Sequence, residues 1–134
     1  MIRATARRRA GHHHEVEVDG HLVVVDEPVE DGGTDKGPSP TRLLAASLAS
    51  CTAMTIAMYT DRKEWDIEGL EVSVDFAGSP DSGQQAQFVV TLALPDGLDD
   101  EQIDKIRTIA AKCPVHRTLT SDPVIAMRHE VAGA

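Results

Sequence analysis

Alternating apolar and polar residues predict that the chain begins with β-strands. The segment Ile2–Arg9 alternates loosely, and His13–Asp19 alternates more clearly. Asp19-Gly20 is a strong hairpin signal, and His21–Val25 follows it as the returning strand. The first part of the chain is therefore predicted to form a small antiparallel sheet.

The longest uncharged stretch of the chain, Leu43–Thr60, predicts a helix. Ser39 is a favoured N-cap and Pro40 is tolerated at the first helical position, so we expect the helix to span Pro40–Lys63. Ten of the 18 uncharged residues are Ala, Ser or Thr, too weakly apolar to drive membrane insertion. We expect a helix buried on most sides within protein. Because so short a chain has difficulty wrapping this helix, the sequence also predicts a homodimer.

The second half of the chain predicts two more strands, a helix and a final strand. Leu70–Phe76 and Gln87–Leu94 alternate and are joined by a turn rich in Gly and Ser. A helix is expected from Asp99 to about Lys112, and Val124–His129 is expected to be the last strand. The predicted fold is α+β, one domain over residues 1–134 with antiparallel sheets around a long buried helix.

Composition and charge exclude several functional classes. The 134 residues include 13 basic and 22 acidic side chains, which gives a net charge of −9. This charge argues against nucleic acid or an anionic membrane as a partner, and four aromatic residues are too few for base stacking. The arginine-rich start is not followed by an apolar stretch of the secretory type, so a cytoplasmic location is expected.

The two cysteines are the strongest candidates for reactive residues. Cys51 lies within the uncharged helix, where the simplest interpretation is a buried, unreactive thiol with a raised pKa. Cys113 lies at a helix break before Pro114, and its basic neighbours Lys112 and Arg117 would lower its pKa. The alternative is that Cys113 only caps the bend.

Three consecutive histidines, His12, His13 and His14, raise the question of a metal. His12 and His14 would share one face of a strand, and two imidazoles can begin a zinc site. No cluster of carboxylates or cysteines lies nearby in the sequence to complete four ligands. We therefore expect a surface strand, no metal and no other cofactor.

Three short motifs resemble the OsmC/Ohr family in order and spacing. They are GPSPT at 37–41, ASCTA at 49–53 and KCPV at 112–115. The resemblance extends from about Ala4 to His129. It implies an intertwined α+β homodimer in which each active site is built at the dimer interface.

The resemblance also implies an activity, the thiol-dependent reduction of organic hydroperoxides without metal or haem. Cys51 corresponds by position to the peroxidatic cysteine and Cys113 to the resolving cysteine. A sulfenic acid on Cys51 would condense with Cys113 to a disulfide, which a dithiol reductant would reopen.

One position departs from the family pattern. Family members carry an acidic residue directly after the proline that corresponds to Pro40, where it orients an arginine toward the thiolate; here that residue is Thr41. An N-terminal arginine, Arg7 or Arg9, is a candidate to approach Cys51, unless both belong to a solvated basic strand edge. Without the carboxylate, the alternative functions are a non-enzymatic dimer that binds a small apolar ligand or senses oxidation. A third alternative is that both thiols are only structural, as buried parts of the core.

Overall fold

The computed structural model describes residues 1–133, which divide into two compact units. The first unit comprises residues 1–47 and 74–90, and the second comprises residues 48–73 and 91–133. A long helix and a β-hairpin each contribute residues to both units.

The first unit contains a three-stranded antiparallel sheet with the order β1-β2-β3. Its strands are β1 (Ala4–Ala10), β2 (His13–Val18) and β3 (His21–Val25). Asp19 and Gly20 connect β2 to β3 with φ angles of 48° and 85°. A two-residue hairpin turn of this kind needs positive φ at both positions, which Asp and Gly tolerate. The predicted hairpin is confirmed.

The second sheet is the hairpin of β4 (Glu71–Ser79) and β5 (Gln84–Ala93), joined by a 3₁₀ turn over Pro80–Ser82. Exposed and half-buried positions alternate along β4, as the sequence pattern predicts. Near the turn, the rings of Phe76 and Phe88 pack across the two strands with their centroids 4.6 Å apart. This cross-strand pair contributes to holding the register of the hairpin.

The long helix α1 spans Pro40–Lys63, the predicted range. Ser39 Oγ accepts a hydrogen bond from the backbone N–H of Arg42 at 3.4 Å, and this satisfies one free donor of the first turn. By length and composition alone the helix could cross a membrane. Its most apolar 18 residues have a mean hydropathy of 1.5, and 22% of them are buried within the chain.

Within a single chain, α1 buries only one of its faces. The buried residues recur every fourth position: Leu48, Thr52, Ile56 and Thr60. Between them, Met54 and Met58 are each 66% exposed. One chain therefore leaves an apolar face of this helix uncovered.

The core of the second unit forms where α1 meets α2 (Asp100–Ala110). Ile56 and Ile106 are fully buried there, and Ala110 is nearly so. Asp99 caps α2, and its carboxylate accepts from the N–H of Gln102 at 2.8 Å while the Gln102 side chain accepts from the N–H of Asp99. The short helix α3 (Pro114–Leu119) follows.

The predicted last strand, Val124–His129, is wrong for the single chain. These residues form no strand or helix, and Val124, Ile125 and Met127 are 95%, 86% and 92% exposed. A strand needs a neighbouring strand for its backbone hydrogen bonds, and no strand among residues 1–133 provides one.

Candidate active site

The two cysteines of the second unit lie next to each other. Cys51 is carried by α1 and is partly exposed, whereas Cys113 is fully buried. Cys113 is the N-cap of α3, directly before Pro114, and both thiols are free. Proline suits the first position of a helix because its missing N–H has no partner there. The Cys-Pro pair therefore places a sulfur at the start of α3.

Hydrogen bonds converge on the Cys113 sulfur. The backbone N–H of His116 donates to Sγ at 3.4 Å, and the Cys51 thiol donates to the same sulfur. Burial opposes ionisation of Cys113, but these bonds and one from the Val115 amide outweigh burial and hold its pKa below the usual value. Cys113 is therefore both the cap of α3 and a thiol with a lowered pKa.

The pKa of the Cys51 thiol is shifted in the opposite direction, upward. Burial raises the pKa of the Cys51 thiol, and its hydrogen bond to Cys113 raises it further. Hydrogen bonds from the Val115 amide and the Thr55 side chain lower the pKa but do not reverse the shift. The pKa values of the two thiols are therefore shifted in opposite directions by their contact with each other.

Thr52 is a site residue that the sequence pattern did not single out. Its side chain is 1% exposed, and Oγ1 has no hydrogen bond of ordinary geometry within residues 1–133. The hydroxyl nevertheless contributes to lowering the pKa of Cys113. The only sequence signal was its position beside Cys51.

The two candidate arginines are paired within the three-stranded sheet. Arg7 Nη1 lies 3.3 Å from Glu17 Oε2, and Arg9 Nη2 lies 2.6 Å from Glu15 Oε2. Both guanidinium groups are about half exposed, so these pairs add little stability. An approach of Arg7 or Arg9 to Cys51 stays a prediction.

Thr41 and Arg42 take part in the start of α1. Arg42 Nη1 donates to Ser39 Oγ at 2.9 Å, and Thr41 Oγ1 lies 3.3 Å from the same oxygen. The position at which the family carries an acidic residue is thus occupied by a hydroxyl group that faces the helix cap.

Asp26 organises the loop before α1. It is 1% exposed and accepts hydrogen bonds from the amides of Glu27, Thr34 and Lys36 and from the Thr34 hydroxyl, the last at 2.6 Å. The Thr34 hydroxyl is the main cause, with the backbone amides, of a pKa lowered to about 2 against the opposing effect of burial. Gly33 is required beside it, because a Cβ there would lie 1.9 Å from the Glu27 carbonyl oxygen.

We expect Asp26→Asn to destabilise the protein at neutral pH, because an amide cannot accept all four hydrogen bonds. The folded pKa is depressed, so the stabilisation is fully present above pH 3.8 and is lost as the pH falls toward about 2. Urea unfolding of the wild type and the variant should show a difference in the free energy of unfolding that becomes smaller as the pH falls across this range. Asp31→Asn, at an exposed acid of the same loop, is the control. If the difference in the free energy of unfolding is the same at neutral pH and at pH 2, the stabilising role of the Asp26 carboxylate is refuted.

Among residues 1–133, no group of three or more metal-binding side chains occurs, at the three histidines or elsewhere. His14 Nδ1 lies 2.8 Å from the carbonyl oxygen of His12. His12 and His14 line, with Val16 and Asp26, a cavity of about 330 Å³ in the first unit.

Two free thiols in contact within an α+β chain are typical of a thiol-dependent redox protein. The profile described as OsmC-like protein matches residues 33–128, and the chain therefore belongs to the OsmC-like family. This confirms the resemblance carried by the three sequence motifs. Among the curated proteins, none matches the chain.

Solved structures with the same fold cover most of the chain. A protein assigned to the osmotic stress and detoxification response of Psychrobacter arcticus shares 26% identity, with a TM-score of 0.71 over 86% of this chain and 85% of that one. An organic hydroperoxide resistance protein of Elizabethkingia anophelis shares 20% identity, with a TM-score of 0.69 over 91% and 89%. The organic hydroperoxide resistance protein OhrB of Bacillus subtilis shares 22%, with a TM-score of 0.60 over 91% and 92%. These likenesses confirm the α+β fold with antiparallel sheets and a long helix.

Proposed function

We propose that the protein is a thiol peroxidase that reduces organic hydroperoxides through Cys51 and Cys113. The observation that carries this proposal is the hydrogen-bonded pair of free sulfurs, one partly exposed and one fully buried. The greater accessibility of Cys51 suits attack on a peroxide, and its contact with Cys113 suits trapping of the oxidised product. Two of the proteins that share the fold are described as organic hydroperoxide resistance proteins.

The reaction divides into three steps. The Cys51 sulfur attacks the distal peroxide oxygen, and the O–O bond breaks. Alcohol is released, and Cys51 becomes a sulfenic acid. The Cys113 sulfur then attacks the Cys51 sulfur, which expels hydroxide and forms a disulfide. A dithiol reductant from the cytoplasm, where thiols are kept reduced, exchanges with this disulfide and restores both thiols.

The exposed apolar residues support a homodimer as the working form. Met54 and Met58 leave the outer face of α1 uncovered, and Val124, Ile125 and Met127 extend the apolar surface of the single chain. Exposed patches of this kind mark protein interfaces. In a dimer, the segment predicted as the last strand would gain the neighbour that the single chain lacks.

The peroxidase proposal is tested by intact-mass measurement after one equivalent of an alkyl hydroperoxide. We expect the protein to lose two hydrogens as the disulfide forms, and Cys51→Ser to abolish the loss. Turnover with a supplied dithiol should vanish in the same variant, because serine is a far weaker nucleophile than a cysteine thiolate. If the wild-type thiols stay free and no peroxide is consumed, the peroxidase proposal is wrong.

The position of Thr41 favours one specific alternative, a dimer of the same fold without peroxidase activity. The family's acidic residue is absent there, and the Thr41 hydroxyl instead faces Ser39. If oxidation forms the disulfide but a dithiol sustains no turnover, the alternative of oxidation sensing is the better explanation.

A further inference from the structure

The two sulfurs of the candidate site differ in how far another molecule can reach them. Cys51 is partly exposed on α1, whereas Cys113 has no exposed surface. The course of thiol–disulfide exchange depends on which sulfur is attacked and on access to that sulfur. In a disulfide between the two cysteines, a reductant would therefore meet two unequal sulfur atoms.

We propose, on the basis of the peroxidase function above, that the reductant attacks this disulfide at the Cys51 sulfur and that Cys113 is the leaving group. The first product is a mixed disulfide between the reductant and Cys51, with a thiolate on Cys113. Attack at Cys113 would require the site to open first, because the whole of that residue is buried. The cysteine that closes the disulfide during oxidation is thus the one that leaves during reduction.

The backbone around Cys113 holds the leaving sulfur in place. The Cys113 N–H donates to the Ala110 carbonyl oxygen at 3.4 Å, and the Arg117 N–H donates to the Cys113 carbonyl oxygen at 3.0 Å. These bonds fix the residue between the end of α2 and the start of α3. Cleavage of the disulfide therefore leaves Cys113 buried, where the reductant does not reach it.

A backbone donor is ready for the charge that develops on the leaving sulfur. The His116 N–H donates to Cys113 Sγ, with nitrogen and sulfur 3.4 Å apart. A hydrogen bond to an anion is stronger than one to a neutral acceptor, and a sulfur that forms a stable thiolate leaves faster. The position of Cys113 as the N-cap of α3 thus favours its departure.

Atoms and electrons balance through the reductive steps. The first thiolate of the dithiol attacks the Cys51 sulfur, the bond between Cys51 and Cys113 breaks, and its electron pair stays on Cys113. The second thiolate of the dithiol then attacks the sulfur of its own first arm and releases Cys51 as a thiolate. The dithiol is oxidised to a disulfide, and the two protons that it lost return to Cys51 and Cys113.

The first test locates the mixed disulfide. Diamide oxidises the wild-type protein without peroxide, and the monothiol glutathione is then added for a short time. Acid stops the exchange, and free thiols are labelled with N-ethylmaleimide. Cys51 and Cys113 lie in separate tryptic peptides, 43–62 and 113–117, so mass spectrometry assigns each group. We expect glutathione on Cys51 and the label on Cys113, in at least about tenfold excess over the reverse.

The outcomes of this test separate the inference from the peroxidase function. An equal division of glutathione, or an excess on Cys113, overturns the inference and leaves the peroxidase function intact. If an alkyl hydroperoxide forms no disulfide but diamide does, the peroxidase function is wrong and the site of attack is still measured. If neither oxidant forms the disulfide, both are overturned.

The second test measures access to each sulfur by itself. Cys113→Ser leaves only Cys51, and Cys51→Ser leaves only Cys113; circular dichroism checks that both variants are folded. Ellman's reagent should react with Cys51 in the folded protein, whereas its reaction with Cys113 should be at least about tenfold slower in the folded protein than in urea. The inference is overturned if Cys113 reacts as fast in the folded protein as in urea, or if Cys51 is the slower of the two.

Discussion

Replacement of Ile106 by alanine is expected to lower the free energy of unfolding by about 2–5 kcal/mol. Ile106 is fully buried, and it packs with Ile56 and Ala110 in the core that joins α1 to α2. Truncation removes buried methyl and methylene groups and leaves a cavity whose walls lose their contacts. Urea unfolding at a fixed protein concentration measures the change, since the stability of the proposed dimer would depend on concentration.

Ile2→Ala is the matched control for the core substitution. Ile2 is the same residue type but 82% exposed, so its truncation removes almost no buried surface. We expect its effect to stay within about 0.5 kcal/mol. Similar losses in the two variants would show that the core lies elsewhere.

Introduction of a charge at Met58 is expected to convert the proposed dimer into monomers. Met58 is 66% exposed in the single chain and lies one turn from the equally exposed Met54 on α1. In Met58→Glu the carboxylate would lose its water in an apolar interface, at a cost of several kcal/mol. Each 1.4 kcal/mol weakens association tenfold, so the dissociation constant should rise by at least about 100-fold. Light scattering at micromolar concentration measures the mass.

Gln85→Glu serves as the control for charge, because Gln85 is exposed near the tip of the β4–β5 hairpin. It should keep the wild-type mass. A monomeric wild type would refute the dimer itself, and a dimeric Met58→Glu variant would place the interface on another surface.

Local pattern predicted most of the elements for identifiable physical reasons. The Ser39-Pro40 start and the uncharged run after it predicted the bounds of α1, and Asp19-Gly20 predicted the β2–β3 turn. Both depend on neighbours in sequence, through capping and through backbone φ angles. The prediction of a strand at Val124–His129 was wrong for the single chain. A strand is stable only with another strand beside it, and no local pattern specifies that neighbour.

The site shows the same division between local and tertiary information. Motif spacing singled out Cys51 and Cys113, and their neighbours in sequence predicted the directions of both pKa shifts, but not the causes: neither Lys112 nor Arg117 is among the causes at Cys113. The pKa of Cys113 depends on the His116 amide, the Cys51 thiol and burial, which are tertiary contacts. Thr52 had no signal of its own, because a threonine in an Ala- and Ser-rich helix is unremarkable until its hydroxyl is found buried.

Motifs, periodicity and caps along the chain were enough to identify the family, the α+β fold class and two cysteines as candidate site residues. The three-dimensional structure was needed to show which contacts shift the pKa of each sulfur and that Asp26 is buried with four hydrogen bonds. These contacts join groups far apart in sequence, and both burial and hydrogen bonding shift a pKa only at contact range.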